Sequence, residues 1–276
     1  MKEVVILTGA ELRHAFVRQA IALDEDIKVL RTYCEGMEGT TLQRAREDGS
    51  DVKIEHLERR ARSERDFFGH FVELVPDESN PVEITRGDIN DERFHEEITG
   101  LDPDLLVAYG CSIIRDPLLS TYQGRFLNVH LGLSPYYRGT GTNFWPLVNG
   151  EPEFVGATFM HLDEGVDTGA VLHQQRGRVN PGDTPHQIGN RLISDMMGTY
   201  REVIRKFEDL ETAPAVPEPE ETHYYEQSDY SEAATKQLYE QFESGMIETY
   251  LANRDERIAD APIAKNPAIE SSPRDQ

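Results

Sequence analysis

Asn128 and His130 end an apolar run in the segment FLNVHLGLSP. Because side chains alternate along a β-strand, a strand here places both polar groups on one face. Glycine and proline follow directly, so the pair stands where a strand gives way to a loop, the usual place for chemistry in an open α/β sheet. An amide and an imidazole fixed there can donate hydrogen bonds to an oxygen that becomes negative during a reaction. The same two groups can instead cap a buried strand end, and this segment alone leaves both interpretations open.

The surrounding chain alternates strand-like and helix-like segments, which must position this pair. Residues 4–8 form a short apolar strand, Gly9 a turn, and residues 10–22 a helix with one apolar face. A second strand at residues 27–33 completes the opening of a doubly wound sheet. We therefore predict an α/β fold, a Rossmann-like, doubly wound and mostly parallel sheet with a short C-terminal extension. The later strand-like segments are residues 82–85, 105–108, 126–130, 155–162 and 171–178.

A long amphipathic helix is predicted over residues 183–207. Asp183 or Thr184 is its expected N-cap. Pro185 then falls in the first turn, where the missing backbone N–H costs nothing.

A change in composition divides the chain after this helix. Residues 208–221 are rich in proline and acidic side chains, which is typical of a linker. One further helix is predicted over residues 230–252, and the polar end from Asn253 is predicted to be disordered. The expected division is a large domain of residues 1–207 followed by an acidic extension of residues 208–276.

The net charge of −23 is the most unusual bulk property. The chain has 51 acidic residues and only 28 lysines and arginines, of which six are lysines. Such a surface is typical of a protein adapted to concentrated salt, where ions screen the self-repulsion. An ordinary acidic enzyme with an acidic tail is the alternative. Either interpretation argues against nucleic acid as the main partner, because a phosphate backbone would be repelled.

The sequence also indicates a compartment. No apolar run reaches the length of a membrane-spanning helix, and Met1 leads directly into a strand-like segment rather than a signal peptide. Cys34 and Cys111 are too far apart for a zinc or redox motif and indicate a reducing environment. We therefore expect a cytoplasmic protein without a membrane partner or a metal site.

An ordered set of motifs gives the sequence a family resemblance. Asn128-x-His130, Pro135, Arg138-Gly139 and the triplet Asp167-Thr168-Gly169 follow one another in the chain. In this order they resemble the folate-dependent formyltransferases, which act on methionyl-tRNA, glycinamide ribonucleotide or sugar nucleotides. The resemblance covers roughly residues 1–207. Two positions depart from the family pattern, namely Gly132-Leu133-Ser134 in place of Ser-Leu-Leu, and Arg13-His14 in place of small polar residues.

The resemblance implies transfer of a formyl group from 10-formyltetrahydrofolate to a primary amine without a metal. In that reaction Asn128 and His130 are expected to stabilise the tetrahedral intermediate, and Asp167 to relay a proton from the attacking amine to the leaving nitrogen. Arg13 and His14 begin a helix that favours an anion, so they are expected to bind the acceptor, although a surface salt bridge is an alternative for them. The remaining expected contacts are Tyr109, Gly110, Ile113, Ile114, Leu162, Asp163 and Gly165 to folate, and Arg138 and Gly139 to the acceptor.

The acceptor itself is the open question at this stage. Initiator tRNA is disfavoured because the extension is short and acidic rather than large and basic. The aromatic segment GTNFWPLVNGE and the extension resemble the sugar-nucleotide branch, which indicates a small amino-sugar nucleotide. Glycinamide ribonucleotide, water in a formyltetrahydrofolate hydrolase, and a non-catalytic folate-binding role remain alternatives. A homodimer is the expected assembly.

Overall fold

The described part of the chain contains nine strands. The computed structural model describes residues 1–36, 41–165, 168–217, 219 and 221–269. Within these residues the strands are β1 (Lys2–Gly9), β2 (Ile27–Glu35), β3 (Pro81–Ile84), β4 (Leu105–Tyr109), β5 (Phe126–His130), β6 (Tyr137–Gly139), β7 (Gly156–His161), β8 (Val171–Arg176) and β9 (His223–Tyr225).

Helices pack around these strands. They are α1 (Leu12–Ala22), α2 (Thr41–Glu47), α3 (Asp51–Glu64), α4 (His70–Leu74), α5 (Glu92–Leu101), α6 (Leu118–Thr121), α7 (Trp145–Val148), α8 (Pro185–Lys206), α9 (Glu232–Glu243), α10 (Met246–Ala252) and α11 (Arg254–Asp260). A π-helical turn, Arg65–Gly69, joins α3 to α4.

Seven strands form one sheet in the order β3-β2-β1-β4-β5-β7-β8. The pairs from β3 to β5 are parallel, and β7 and β8 are added in antiparallel orientation. The mostly parallel, doubly wound sheet expected from the sequence is therefore confirmed. Its order reverses between β1 and β4, so the carboxyl ends of these strands open a crevice where such sheets bind ligands.

Both faces of the sheet are covered by apolar packing, which explains the nearly continuous apolar strands. One core, on the face covered by α1 and α8, contains Val107 and Leu127. The second core, on the opposite face, contains Leu106 and Phe126. We call these faces the α8 face and the α5 face, because Ile98 of α5 lies in the second core.

The long helix α8 begins as the sequence predicts. Thr184 is the N-cap, its hydroxyl accepts a hydrogen bond from the Gln187 N–H at 3.3 Å, and Pro185 opens the helix. The other candidate cap, Asp183, instead forms a salt bridge with Arg191. The helix carries its apolar side chains into the core of the α8 face, and Leu192 and Tyr200 are fully buried there.

The C-terminal extension differs from its prediction. The expectation of one helix followed by a disordered tail is wrong for residues up to 269, because α9, α10 and α11 are separate helices and Ile269 is buried in the core. Gly245, with a φ of 81°, stands between α9 and α10. The extension folds back onto the large domain, where β9 pairs with β6 and Tyr225 stacks on Trp145 at 4.0 Å between ring centroids.

Candidate active site

A cavity of about 610 Å³ opens at the carboxyl ends of β4 and β5, beside the start of α1. It brings together most of the residues that the sequence singled out. Arg138 lies on β6 and does not line this cavity. Asp167 lies outside the described residues. The expected site residues in the cavity wall are Arg13, His14, Tyr109, Gly110, Ile113, Ile114, Asn128, His130, Gly139, Leu162, Asp163 and Gly165.

Asn128 and His130 lie on the same face of β5 and both line the cavity. Phe126, two residues earlier, is buried in the core of the α5 face, so the two polar side chains point to that side as well. His130 is 8% exposed and Asn128 is half-buried. Strand β7 supports them, with Met160 opposite Asn128 and Thr158 opposite His130.

Thr158 also fixes the turn that follows His130. Its hydroxyl donates to the Gly132 carbonyl at 2.6 Å and accepts from the Ser134 N–H at 3.2 Å. The Gln174 amide donates to the Ser134 carbonyl. Since these groups are fully buried, the turn is held rigidly, and with it the direction of the His130 side chain.

The segment after β4 is held by side chains from neighbouring loops. The Glu35 carboxylate accepts hydrogen bonds from the backbone N–H groups of Ser112 at 2.5 Å and Gly87 at 2.9 Å. Asn90 donates to the Ile113 carbonyl at 3.0 Å and accepts from the Arg115 N–H at 2.8 Å. The segment is therefore preorganised by the side chains of Glu35 and Asn90 rather than by its own side chains.

Tyr109 differs from the rest of this segment. Its side chain is 2% exposed and lies in the core of the α8 face, where its ring meets that of His14 at 5.3 Å. Ile114 and Leu162 pack against the opposite core. The side chain of Tyr109 thus lies on the α8 side of the cavity, whereas Ile114 lies on the α5 side. Only the main chain of Tyr109 can contact a ligand that lies beside Ile114.

Arg13 is engaged in a charge network rather than free. Its guanidinium donates to Glu64 at 2.9 Å and also pairs with Glu11. Arg60 donates to the same Glu64 oxygen at 3.0 Å and lies 3.6 Å from Glu11. Burial and the neighbouring Arg60 lower the pKa of Arg13 to about 10, so it stays charged at neutral pH. Arg13 therefore forms a salt bridge that is largely buried rather than on the surface, and its binding to the acceptor stays a prediction.

His14 is a neutral hydrogen-bond donor. Its Nδ1 accepts the Glu11 backbone N–H at 3.3 Å, so the neutral ring carries its proton on Nε2. Burial, with Arg13 and Arg60 close by, lowers the pKa of His14 well below its ordinary value. Gly9 and Gly110 make room for the ring, because a β-carbon on either one would collide with the imidazole. The ring therefore fills the crevice between β1 and β4.

Cys111 lines the cavity without being a nucleophile. Burial and the nearby Glu35 raise the pKa of its thiol to about 12. The thiolate is the reactive form, and it is essentially absent at neutral pH.

Sequence reasoning missed a further group of cavity residues. Phe144 comes from the loop before α7, and Tyr230 comes from the extension. Helical spacing could have found the others, since His56 and Arg60 on α3, and His186 and Asn190 on α8, are each four residues apart on one helix face. Only the fold shows that the two helices face the same cavity.

A family model described as formyl transferase matches residues 4–204. The chain belongs to the formyl transferase family. The matched region contains the whole seven-stranded sheet except the outermost residues of β1. It ends within α8, before the extension begins.

Individual relatives match only part of this chain. GDP-perosamine N-formyltransferase of Brucella melitensis is 33% identical over 145 residues, 52% of this chain and 55% of the relative. Methionyl-tRNA formyltransferase of Desulforamulus reducens is 35% identical over 127 residues, 45% of this chain and 39% of the relative. The chain thus spans about half the length of the curated relatives it matches. A crystal structure of phosphoribosylglycinamide formyltransferase from Anaplasma phagocytophilum shares the fold, with a TM-score of 0.55 at 14% identity over 82% of this chain and 98% of that one.

The α5 side of the cavity combines an exposed apolar side chain with rigid backbone. Ile113 is 67% exposed on the preorganised segment, and Leu162 is anchored through its N–H to the Phe126 carbonyl at 2.9 Å. An apolar side chain beside rigid backbone suits an aromatic ring with a hydrogen-bonding edge. Asp163 is used within its own loop, where its carboxylate accepts from the Gly165 N–H and the Thr168 hydroxyl.

Among the described residues, no group of three or more histidine, cysteine or acidic side chains is arranged to hold a metal ion. In the same part of the chain, no helix is long and apolar enough to cross a membrane.

Proposed function

We propose that the protein transfers a formyl group from 10-formyltetrahydrofolate to the primary amine of a small acceptor, an amino-sugar nucleotide. The observation that carries the proposal is the placement of Asn128 and His130 on one face at the end of β5, in the wall of the cavity. Membership of the formyl transferase family supports the reaction. The relative that acts on GDP-perosamine supports the acceptor class.

The reaction begins with attack of the neutral amine on the formyl carbon. The carbonyl π bond becomes an oxyanion, and the amide N–H of Asn128 and an N–H of His130 donate to this oxygen. Because both side chains are set by β5 and by the rigid turn after it, they need little reorganisation as the charge develops. The tetrahedral intermediate collapses when the carbon–nitrogen bond to the folate breaks.

Proton transfer balances the reaction. The attacking nitrogen becomes an ammonium and must lose a proton, while the leaving folate nitrogen must gain one. We assign this relay to Asp167, which directly or through a water molecule accepts the first proton and delivers one to the leaving nitrogen. No covalent enzyme intermediate is required, in keeping with the protonated Cys111 thiol.

The donor and the acceptor approach from opposite faces of the sheet. The folate occupies the α5 side, beside Ile113, Ile114 and Leu162. The acceptor occupies the α8 side, beside His14, whose neutral imidazole carries its proton on Nε2. The two substrates meet at Asn128 and His130, where the cavity crosses the sheet edge.

A screen of amine acceptors tests this function. The purified protein is incubated with 10-formyltetrahydrofolate and GDP-, UDP- and dTDP-linked amino sugars, glycinamide ribonucleotide or methionyl-tRNA, and mass spectrometry detects the added formyl group. Formylation of an amino-sugar nucleotide is the expected result. Formylation of only one of the other two acceptors contradicts the proposed acceptor class. Release of formate without any acceptor indicates a hydrolase instead.

A further inference from the structure

Five side chains enclose one compartment on the α8 side of the cavity, which we call the aromatic compartment: His56, Phe144, His186, Asn190 and Tyr230. Ring centroids are 4.6 Å apart for His56 and His186, and 5.4 Å apart for Phe144 and Tyr230. His56 also meets the edge of Phe144 at 5.6 Å. The compartment is thus walled largely by rings.

The polar groups of this compartment are uncharged. Burial, together with His186 and the nearby Arg60 and Arg59, lowers the pKa of His56 to about 3. Burial and the same two arginines lower the pKa of His186 to about 4. A neutral imidazole offers one donor and one acceptor. The Asn190 side-chain amide also has both a donor and an acceptor, and its N–H donates to the Ser63 hydroxyl at 3.0 Å. Such walls suit a flat, uncharged ring with hydrogen bonds along its edge.

Among the described residues of the cavity wall, phosphate finds no cationic side chain that is not already in an ion pair. In this part of the wall, Arg13 and Arg60 are the cations, and both are paired with Glu11 and Glu64. Glu226, Asp163 and Glu164 add negative charge to the same wall. An anionic group would therefore have to break an existing ion pair, whereas an uncharged ring would not.

We propose that the aromatic compartment binds the nucleobase of the acceptor, and that this contact, rather than a phosphate site at α1, anchors the acceptor. This inference rests on the proposed function. The sugar and its amine would then extend from the compartment toward His130, since Thr142, which lies two residues before Phe144, adjoins the imidazole on the other side of Gly132.

The proposal gives the extension a function. Tyr230 precedes α9, and α9 is fastened to α3 by a hydrogen bond of 2.8 Å from the Ser50 hydroxyl to Glu232. The hydroxyl of Tyr239 in α9 forms a hydrogen bond of 3.1 Å with His56 Nδ1. The extension thus closes the compartment and orients one of its histidines, so acceptor selection depends on residues beyond the matched family region.

Titration calorimetry with nucleotides that lack an amine tests the compartment directly. GDP and UDP serve as purine and pyrimidine probes, and tetrahydrofolate serves as the donor-side probe. The variant Tyr230→Ala removes one wall, Tyr230→Phe keeps the ring, and Tyr224→Ala is the matched control because Tyr224 is 54% exposed on β9 and outside the cavity. Circular dichroism checks that each variant is folded.

At least one nucleotide is expected to bind the wild type. Tyr230→Ala should weaken that binding about tenfold, the usual scale for loss of one stacked ring, while tetrahydrofolate affinity stays the same. Tyr230→Phe and Tyr224→Ala should bind like the wild type. Pyrophosphate should not displace the bound nucleotide.

Three results would overturn the inference: no binding of either nucleotide, displacement by pyrophosphate as effective as by GDP, or equal weakening in the Tyr224 control. These readouts need no catalysis. Nucleotide binding without any formyl transfer would contradict the proposed function and leave the compartment in place. Formyl transfer to an amino-sugar nucleotide with an unchanged acceptor KM in Tyr230→Ala would contradict the role of the compartment and leave the proposed function in place.

Discussion

Gly132 lies so close to His130 that a β-carbon built on it would be 2.6 Å from the imidazole Nε2. The same β-carbon would be 2.6 Å from the Thr142 Cβ on its other side. The imidazole and the loop before α7 therefore occupy the space that a side chain at position 132 would need. This accounts for glycine here, at a position where the family pattern has serine.

Restoring a side chain at this position should misplace the histidine. Gly132→Ser is expected to lower kcat by about 100-fold, the cost of losing one oxyanion donor, because His130 must shift. Tetrahydrofolate binding should persist. Steady-state kinetics and calorimetry measure the two effects. Gly100→Ala in α5, where nothing lies within 4 Å, is the control and should keep full activity. A fully active Gly132→Ser enzyme would contradict the close packing.

Asn128, His130 and Asp167 should behave as one catalytic unit. His130→Ala and Asp167→Asn are each expected to lower turnover by about 100-fold or more while the folate still binds. Their double variant should lose much less than the product of the two effects, because residues that act together are not additive. If the pair only capped a strand end, activity would fall together with the melting temperature. A folded His130→Ala protein with near-normal transfer would eliminate the mechanism.

Local patterns predicted the elements that depend on neighbours in sequence. Alternation along β5 gave the common face of Asn128 and His130, since a strand period of two is set by the backbone itself. The start of α8 followed in the same way from Thr184 and Pro185. The sheet type followed from the alternation of apolar strands and amphipathic helices.

The remaining features depend on residues far apart in the chain. Glu64, which pairs with Arg13, is 51 residues away, and neither residue type identifies the other as its partner. The return of the extension depends on the pairing of β9 with β6 and the stack of Tyr225 on Trp145. Composition marked the extension as polar and acidic, whereas Leu238, Met246 and Ile247 of its helices are buried in the core of the α8 face.

The contact between Arg13 and Glu64 should be strongly coupled. Both side chains are largely buried, so in a double-mutant cycle with Arg13→Met and Glu64→Gln we expect an interaction of about 1–3 kcal/mol in the free energy of unfolding. Urea denaturation measures it. The exposed pair Arg59 and Glu55 is the matched control on the same helix, with an expected coupling within about 0.5 kcal/mol. Equal couplings in the two cycles would contradict a structural role for the network.

Acid should destabilise the protein through the buried histidines. His56 and His186 have pKa values of about 3 and about 4 in the folded protein, below the unfolded value of about 6.5. Below about pH 6.5 the unfolded chain binds more protons, so the free energy of unfolding falls as the pH drops toward these folded values. Each histidine accounts for about 1.4 kcal/mol at pH 5.5.

Urea denaturation at pH 8 and at pH 5.5 tests this sign. The variants His56→Gln and His186→Gln should each lose less stability between the two pH values than the wild type does. The value at pH 8 is the internal reference for the cost of the substitution itself. An identical pH dependence in the wild type and both variants would show that these imidazoles do not gain protons on unfolding.

Salt should stabilise the protein if its acidic surface is an adaptation to concentrated salt. The 51 acidic residues exceed the 28 lysines and arginines, so many carboxylates repel one another without a cationic partner. The Debye length shrinks from about 10 Å at 0.1 M to about 3 Å at 1 M salt, which removes most of this repulsion. The melting temperature followed by circular dichroism should therefore rise with KCl. Sucrose at matched osmolality is the control for solute exclusion, and a smaller rise is expected there. A melting temperature that is the same at both KCl concentrations would contradict adaptation to concentrated salt and support the interpretation of an ordinary acidic enzyme.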